Sequence, residues 1–245
     1  MENFASSAVY SIEKQIEKEF SMFEEEKEIL KRICRKSNVE RQNALELELS
    51  SRNISYENLD DMAIIVPAKT AEKIVLCAHF DAVEGSFGYN DNGMALVTAL
   101  KMIDSLPSFV EVVFTNLEER RALGAAYYVE HNRALIKGCI NLDVVGCFDA
   151  VYMDSMNFSA ARSLTSCKQG RMPPSDAYAF AFRGIPSVCF SSGPAHAQFH
   201  DGIDKICSTI HNNKYDNRFE LLNFEMIFKV AEEVRKVVTL MKEVA

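Results

Sequence analysis

Between residues 62 and 191, short apolar runs alternate with helix-patterned segments, and several of the runs end in charged or amide residues. β-type runs fall at 62–66, 73–78, 110–116, 139–145, 151–153 and 187–191. Helical spacing falls at 92–106, 123–132, 175–182 and 224–242, the third of these ending at Gly184-Ile185-Pro186. A strand that is apolar on both faces must be covered on both faces, so this alternation predicts an α/β chain: a mostly parallel central sheet with helices on both faces. The runs at 62–66 and 73–78, separated by a polar turn, are expected to be neighbouring strands. Ahead of them, residues 11–35 carry Ile12, Ile16, Phe20, Phe23, Ile29, Leu30 and Ile33 at helical spacing. Residues 38–51 read as a second helix, with Asn38 as its cap. Both are expected as outer-layer helices. No repeat, low-complexity tract or linker divides the chain, which predicts a single domain over residues 1–245.

The balance of residues narrows the function classes. Hydrophobic residues make up 48% of the 245, enough to fill an ordinary core. The formal net charge of -8 disfavours nucleic acid or an anionic membrane as partner, since phosphate binding needs a basic footprint. No apolar run approaches the ~18 residues of a membrane span, and residues 1–10 lack the pattern of a secretory signal. The seven cysteines include no CxxC pair and several lie in apolar runs. They read as reduced, mostly buried thiols of a cytoplasmic protein rather than zinc ligands.

Polar clusters follow the apolar runs, where open α/β sheets build their sites. His79 and Asp81 close the first such run, and their i, i+2 spacing lets the carboxylate fix the imidazole tautomer. Asp91 lies in Gly88-Tyr89-Asn90-Asp91-Asn92-Gly93, which taken alone reads equally well as a turn with an Asx cap. Glu118 and Glu119 follow the run at 110–116; adjacent carboxylates leave the chain in different directions, so one can bind a metal while the other reaches its water. Their bland alternative is decoration of a first helical turn. Asp143 stands inside an apolar run, where a charge is costly unless it is paired or metal-bound. His211 stands in a polar loop before the terminal helix.

Taken in order, CAHFDA, GYNDNGMALVTAL, FTNLEERRALGAAYYV, INLDVVG, SDAYAFAFRGIPSVCF and TIHNNKYDN resemble metallopeptidase family 28, the co-catalytic zinc aminopeptidases and their carboxypeptidase relatives. The similarity runs from about Met62 to the C-terminus. Its most specific parts are the paired glutamates before a Leu-Gly helix and the INLD strand. The resemblance implies a zinc-aminopeptidase-like three-layer sandwich. It implies two divalent metal ions, most consistent with zinc, bridged by Asp91. His79 and Asp143 would complete one site, and Glu119 and His211 the other. Glu118 would be the general base and Asp81 would orient His79. Three carboxylates and two neutral imidazoles offset most of the charge of two such ions. The substrate implied is a peptide or an aminoacyl small molecule, hydrolysed from its N-terminus.

Two departures from the family pattern stand out. Ser175-Asp176-Ala177 replaces Ser-Asp-His, which touches the wall of the substrate pocket. The usual His-Thr-x-x-Asp-Thr becomes His211-Asn212-Asn213-Lys214-Tyr215-Asp216, with altered spacing to the acid. His200, with His196 nearby, competes as the last ligand, and the position of His211 before the terminal helix favours the latter. His131 reads as a surface residue on a helix. Two other readings compete: a glutaminyl-cyclase-like acyl transferase with a single zinc, and a non-catalytic binding subunit on a peptidase scaffold. A buried Asp143 argues against the scaffold, which has no need of it.

Overall fold

The computed structural model describes residues 22–211 and 216–244. Residues 1–10 and the first part of the predicted 11–35 helix, with Ile12, Ile16 and Phe20, lie outside the described residues. The chain forms helices α1 (Glu24–Ile33), α2 (Asn38–Ser51), α3 (Met94–Met102), α4 (Leu123–Asn132), α5 (Ala177–Ala181), α6 (Phe199–Cys207) and α7 (Glu225–Val244). Its strands are β1 (Glu57–Leu59), β2 (Ala63–Val66), β3 (Lys73–His79), β4 (Val110–Thr115), β5 (Ile136–Leu142), β6 (Ala150–Asp154), β7 (Lys168–Gln169) and β8 (Ser187–Gly193). They make one eight-stranded sheet in the order β1-β2-β4-β3-β5-β8-β6-β7. The pairs β3–β4, β3–β5, β5–β8 and β6–β7 are parallel. The pairs β1–β2, β2–β4 and β6–β8 are antiparallel.

Every residue of β3, β4 and β8 is buried, because side chains on both faces meet helices. The two-residue period sorts them. Ile74, Leu76, Ala78, Val112, Phe114, Ile140 and Val188 join a core with residues of α1, α2, α3 and α7. Val75, Cys77, Val113 and Cys139 face the other way, onto Ala125, Tyr128 and Val129 of α4 and Phe180 of α5. The three-layer expectation is met, at roughly 1.5–3 kcal/mol for each large side chain removed from water. All seven cysteines are free, and only Cys207 is exposed. No helix among the described residues is long and apolar enough to cross a membrane.

Several sequence expectations need correction. Strands β2 and β3 are not neighbours: β4 lies between them, with Ala63 opposite Thr115 on one side and His79 opposite Thr115 on the other. Apolar runs carry no pairing information, and the connection at 67–72 is long enough to step across one strand. Strand β5 stops at Leu142, so Asp143 sits just past its end rather than within it. Asn38 is not the cap of α2; Ser37 holds that position. The Asn38 amide instead spans the backbone of Ala82, donating to its carbonyl (3.2 Å) and accepting from its N–H (3.0 Å). From the same helix the fully buried Arg41 donates to the carbonyls of Phe80 and Phe87. Helix α2 therefore clasps both ends of the loop that follows β3, which is the loop leading to Asp91.

Candidate metal centre

The parallel strands β3, β4, β5 and β8 end on the same side of the sheet, and the polar clusters converge there. His79 is the last residue of β3 and is buried. Its Nδ1 lies 3.0 Å from the backbone carbonyl of Asp81 and 3.5 Å from the Asp81 carboxylate. The carbonyl is thus the nearer acceptor for an Nδ1 proton, where the sequence pointed to the carboxylate. That carboxylate has other work: it accepts the backbone N–H groups of Glu118 (3.0 Å) and Glu119 (3.2 Å). Asp81 therefore links the imidazole to the turn that presents both glutamates.

The glutamate turn is tightly folded. Leu117, Arg121 and Ala122 all have positive φ, around a short 3-10 segment Glu118–Arg120. The chain then doubles back so closely that a Cβ on Gly124 would lie 2.1 Å from the carbonyl oxygen of Asn116. This close approach is the physical content of the Leu-Gly pair that follows the glutamates.

Asp91 is held by neighbours on both sides. Asn92 donates to the Leu142 carbonyl (2.9 Å) and accepts from the Val144 N–H (3.1 Å), spanning Asp143. Asn90 accepts from the Gly146 N–H (2.8 Å) and donates to Thr209 (2.9 Å). The asparagines are therefore not turn-capping residues but staples between the Asp91 loop, the exit of β5 and the segment before His211. Asp216 adds a further brace. One carboxylate oxygen accepts from the N–H groups of Asn90 (3.2 Å) and Asp91 (2.9 Å), and the other accepts from the Ser86 hydroxyl (2.6 Å).

The result is two groups of potential ligand atoms that share Asp91. His79, Asp91 and Asp143 form one, and Asp91, Glu119 and His211 form the other; within each group the atoms lie within 4.8 Å of one another. His79 Nε2 is 3.2 Å from Asp91 and 3.4 Å from Asp143, and His211 Nε2 is 3.4 Å from Glu119. His200 falls in neither group; it is exposed in the first turn of α6. His196 and His131 are also exposed.

The electrostatics fit a divalent cation. Buried His79 Nε2 and Glu119 Oε1 have no hydrogen-bond partner, an arrangement that is costly unless an ion completes it. Burial pushes the Glu118 carboxyl up to about 10, reinforced by Asp143 and opposed by His79. Burial likewise pushes Glu119 up to about 8, with Asp91 adding to the effect. Asp143 is raised by burial. Burial works to raise Asp91 too, but His79 outweighs it and its carboxyl is lowered. The His79 ring is disfavoured as a cation by burial, yet the adjacent carboxylates of Asp143, Asp81 and Asp91 raise it well above its ordinary value. Carboxylates crowded in this way lack positive charge, and mixed nitrogen and oxygen donors suit zinc.

Two buried acids at the site were not assigned roles from sequence. Asp216 was visible only as the acid after His211. Asp176, fully buried, accepts from Thr115 Oγ1 and leaves its other oxygen without a partner. Burial pushes Asp176 up to about 7.

Residues 62–168 match the model of Peptidase family M28, which bears out the family resemblance over the motifs from CAHFDA to INLDVVG; the last two motifs lie beyond the matched residues. No curated protein matches the sequence. Among solved structures, the chain is similar to BSAP, a zinc aminopeptidase from Bacillus subtilis, at 24% identity and TM-score 0.57, over 72% of this chain and 49% of that one. It is similar to Legionella LapA at 16% identity and TM-score 0.65, over 87% and 71%. It is also similar to the glutaminyl cyclase of Bacteroides thetaiotaomicron at 16% identity and TM-score 0.62, over 82% and 88%. The chain spans about half the length of the first of these aminopeptidases.

Proposed function

We propose that this chain is a metal-dependent exopeptidase, an aminopeptidase that hydrolyses the N-terminal residue from peptides or aminoacyl compounds. The observation that carries the reading is the pair of ligand groups joined through Asp91, with Glu118 lining the same cavity. His79, Asp91 and Asp143 would hold one divalent ion, and Asp91, Glu119 and His211 a second, with zinc the expected metal. When bound, such ions activate a water and polarise the scissile carbonyl. Glu118 takes the proton from that water and returns it to the leaving amine. Asp81 sets the geometry of both steps: its carbonyl holds the His79 ring, and its carboxylate holds the amides of Glu118 and Glu119.

A second reading, a glutaminyl-cyclase-like acyl transferase with a single zinc, is favoured by a fold likeness that extends over 88% of a cyclase chain. Metal content separates the two, because the aminopeptidase needs both ligand groups filled. Elemental analysis of protein prepared without chelator is expected to find two ions per chain, and aminoacyl amides are expected to be turned over. Glu118→Gln is expected to keep the ions and lose ~10²–10⁴-fold in rate. A single ion, with cyclisation of N-terminal glutaminyl peptides, would establish the cyclase. Loss of metal and activity together in Glu118→Gln would make Glu118 a ligand and exchange the roles of the two glutamates.

A further inference from the structure

Two cavities meet at Glu118 and His211. The smaller, about 200 Å³, is lined by Asp91 and Asp143 together with apolar Val144, Met172 and Ile206. The larger, about 600 Å³, opens on the Glu119 side and is lined by Arg121, Arg171, Tyr178 and Phe182. Arg121 and Arg171 form no ion pair among the described residues, and they are the arginines that line this cavity. Arg171 is steadied by a hydrogen bond from its Nε to the hydroxyl of Tyr178 (3.3 Å), which lines the same cavity, and Asp154 favours its charge. In a chain of net charge -8, two cations thus line the cavity that also holds the proposed general base.

An aminopeptidase substrate is electrically polar. Its ammonium end is drawn to the carboxylates of the smaller cavity and repelled by arginines, so the leaving portion is directed into the larger one. A guanidinium recognises a carboxylate through paired N–H donors and discriminates against the amide of the same shape. We propose that Arg121 and Arg171 select substrates whose leaving residue carries a carboxylate, as in a short peptide with a free C-terminus. The inference rests on the aminopeptidase reading and names its substrate class. The carboxylate has two possible sources, the main-chain terminus or an acidic side chain.

The test uses the zinc-loaded full chain and three substrates that share an N-terminal leucine: Leu-Gly, Leu-Gly-NH2 and Leu-Asp-NH2. The quantity measured is the ratio of kcat/KM for each acid to that for Leu-Gly-NH2, which does not depend on the fraction of active protein. At least one acid is expected to exceed the amide by about tenfold or more, the scale of a charge-assisted hydrogen bond. Preference for Leu-Gly assigns the terminal carboxylate, and preference for Leu-Asp-NH2 assigns the side chain. Arg121→Gln and Arg171→Gln are each expected to lower the ratio, and added salt to lower it in the unaltered protein. A ratio near one, or a ratio that neither substitution changes, overturns the inference and leaves the aminopeptidase reading standing. No turnover of any of the three by zinc-loaded protein overturns both.

Discussion

Asp216 offers a direct test of how the Asp91 loop is held. Its Oδ1 accepts two backbone N–H groups, those of Asn90 and Asp91, and its Oδ2 accepts the Ser86 hydroxyl. Asn in its place keeps Oδ1 for the two amides. The new NH2 group can donate to Ser86 Oγ, whose own proton then turns to Asn217 Oδ1, 3.1 Å away. Ala keeps none of this and leaves two buried amides without an acceptor, at ~1–3 kcal/mol each. Both substitutions remove the same charge, which burial and the nearby Asp91 have already pushed up to about 6. The difference between them therefore isolates the acceptor. Asp216→Ala is expected to be less stable than Asp216→Asn by about 4 kcal/mol, or about 10 °C in Tm for a chain of this size. Thermal unfolding of chelator-treated protein measures it. Zinc titration against a competing chelator should find the Ala variant ~10–100-fold weaker than the Asn variant, the usual effect of losing a group that orients a ligand. If the two variants unfold within ~1 kcal/mol of each other and bind zinc alike, Asp216 does not hold the loop.

His211→Ala should leave about one ion per chain, while His200→Ala should keep both, because only His211 lies in ligand range of Glu119; elemental analysis reporting the reverse would exchange their roles. Lys73→Met should cost ~3–5 kcal/mol in denaturant unfolding, since it strands Glu111, which now binds Lys73 at 2.8 Å and accepts from Tyr128 in the core; adding Glu111→Leu should recover most of the loss, and a single variant of unchanged stability would show the pair to be dispensable. In chelator-treated protein, Asp176 is raised by burial to about 7 from an unfolded value of ~3.9. Its contribution to stability is therefore complete below ~pH 4 and lost as pH rises through about 7, at up to ~1.4 kcal/mol per pH unit. Asp176→Asn should accordingly gain on the unaltered chain as pH rises over that range, and a gap that does not change with pH would contradict the assignment.

Helices with strong punctuation were readable from the sequence: residues 38–51 and 123–132 begin and end where expected. The polar residues at strand ends were readable too, because charge at the close of an apolar run is costly unless something meets it. Pairing order was not, since β2 and β3 are equally apolar and only packing sets β4 between them. Strands β1 and β7, of three and two residues, are too short to show a period. Helix α6 has no counterpart among the segments predicted from sequence, because Gly202 and its polar neighbours mask an amphipathic face that includes Ile203 and Ile206. The bracing by Asn90, Asn92 and Asp216 was hidden for a different reason. Most of their partners are backbone groups far away in the chain, and backbone groups leave no mark in a sequence.

The short strands at the two ends of the sheet order have a consequence for how the molecule behaves in company. A strand at the border of a sheet offers unpaired N–H and C=O groups to any passing chain, and long, flat, apolar borders are the ones that stick. Here β3, β4 and β8, buried along their whole length, are enclosed between other strands. Among the described residues the borders are left to β1, two of whose three residues are exposed and polar, and to β7, two residues long with a lysine and a glutamine. The molecule can thus carry a very greasy sheet while presenting almost no template for a second copy to extend.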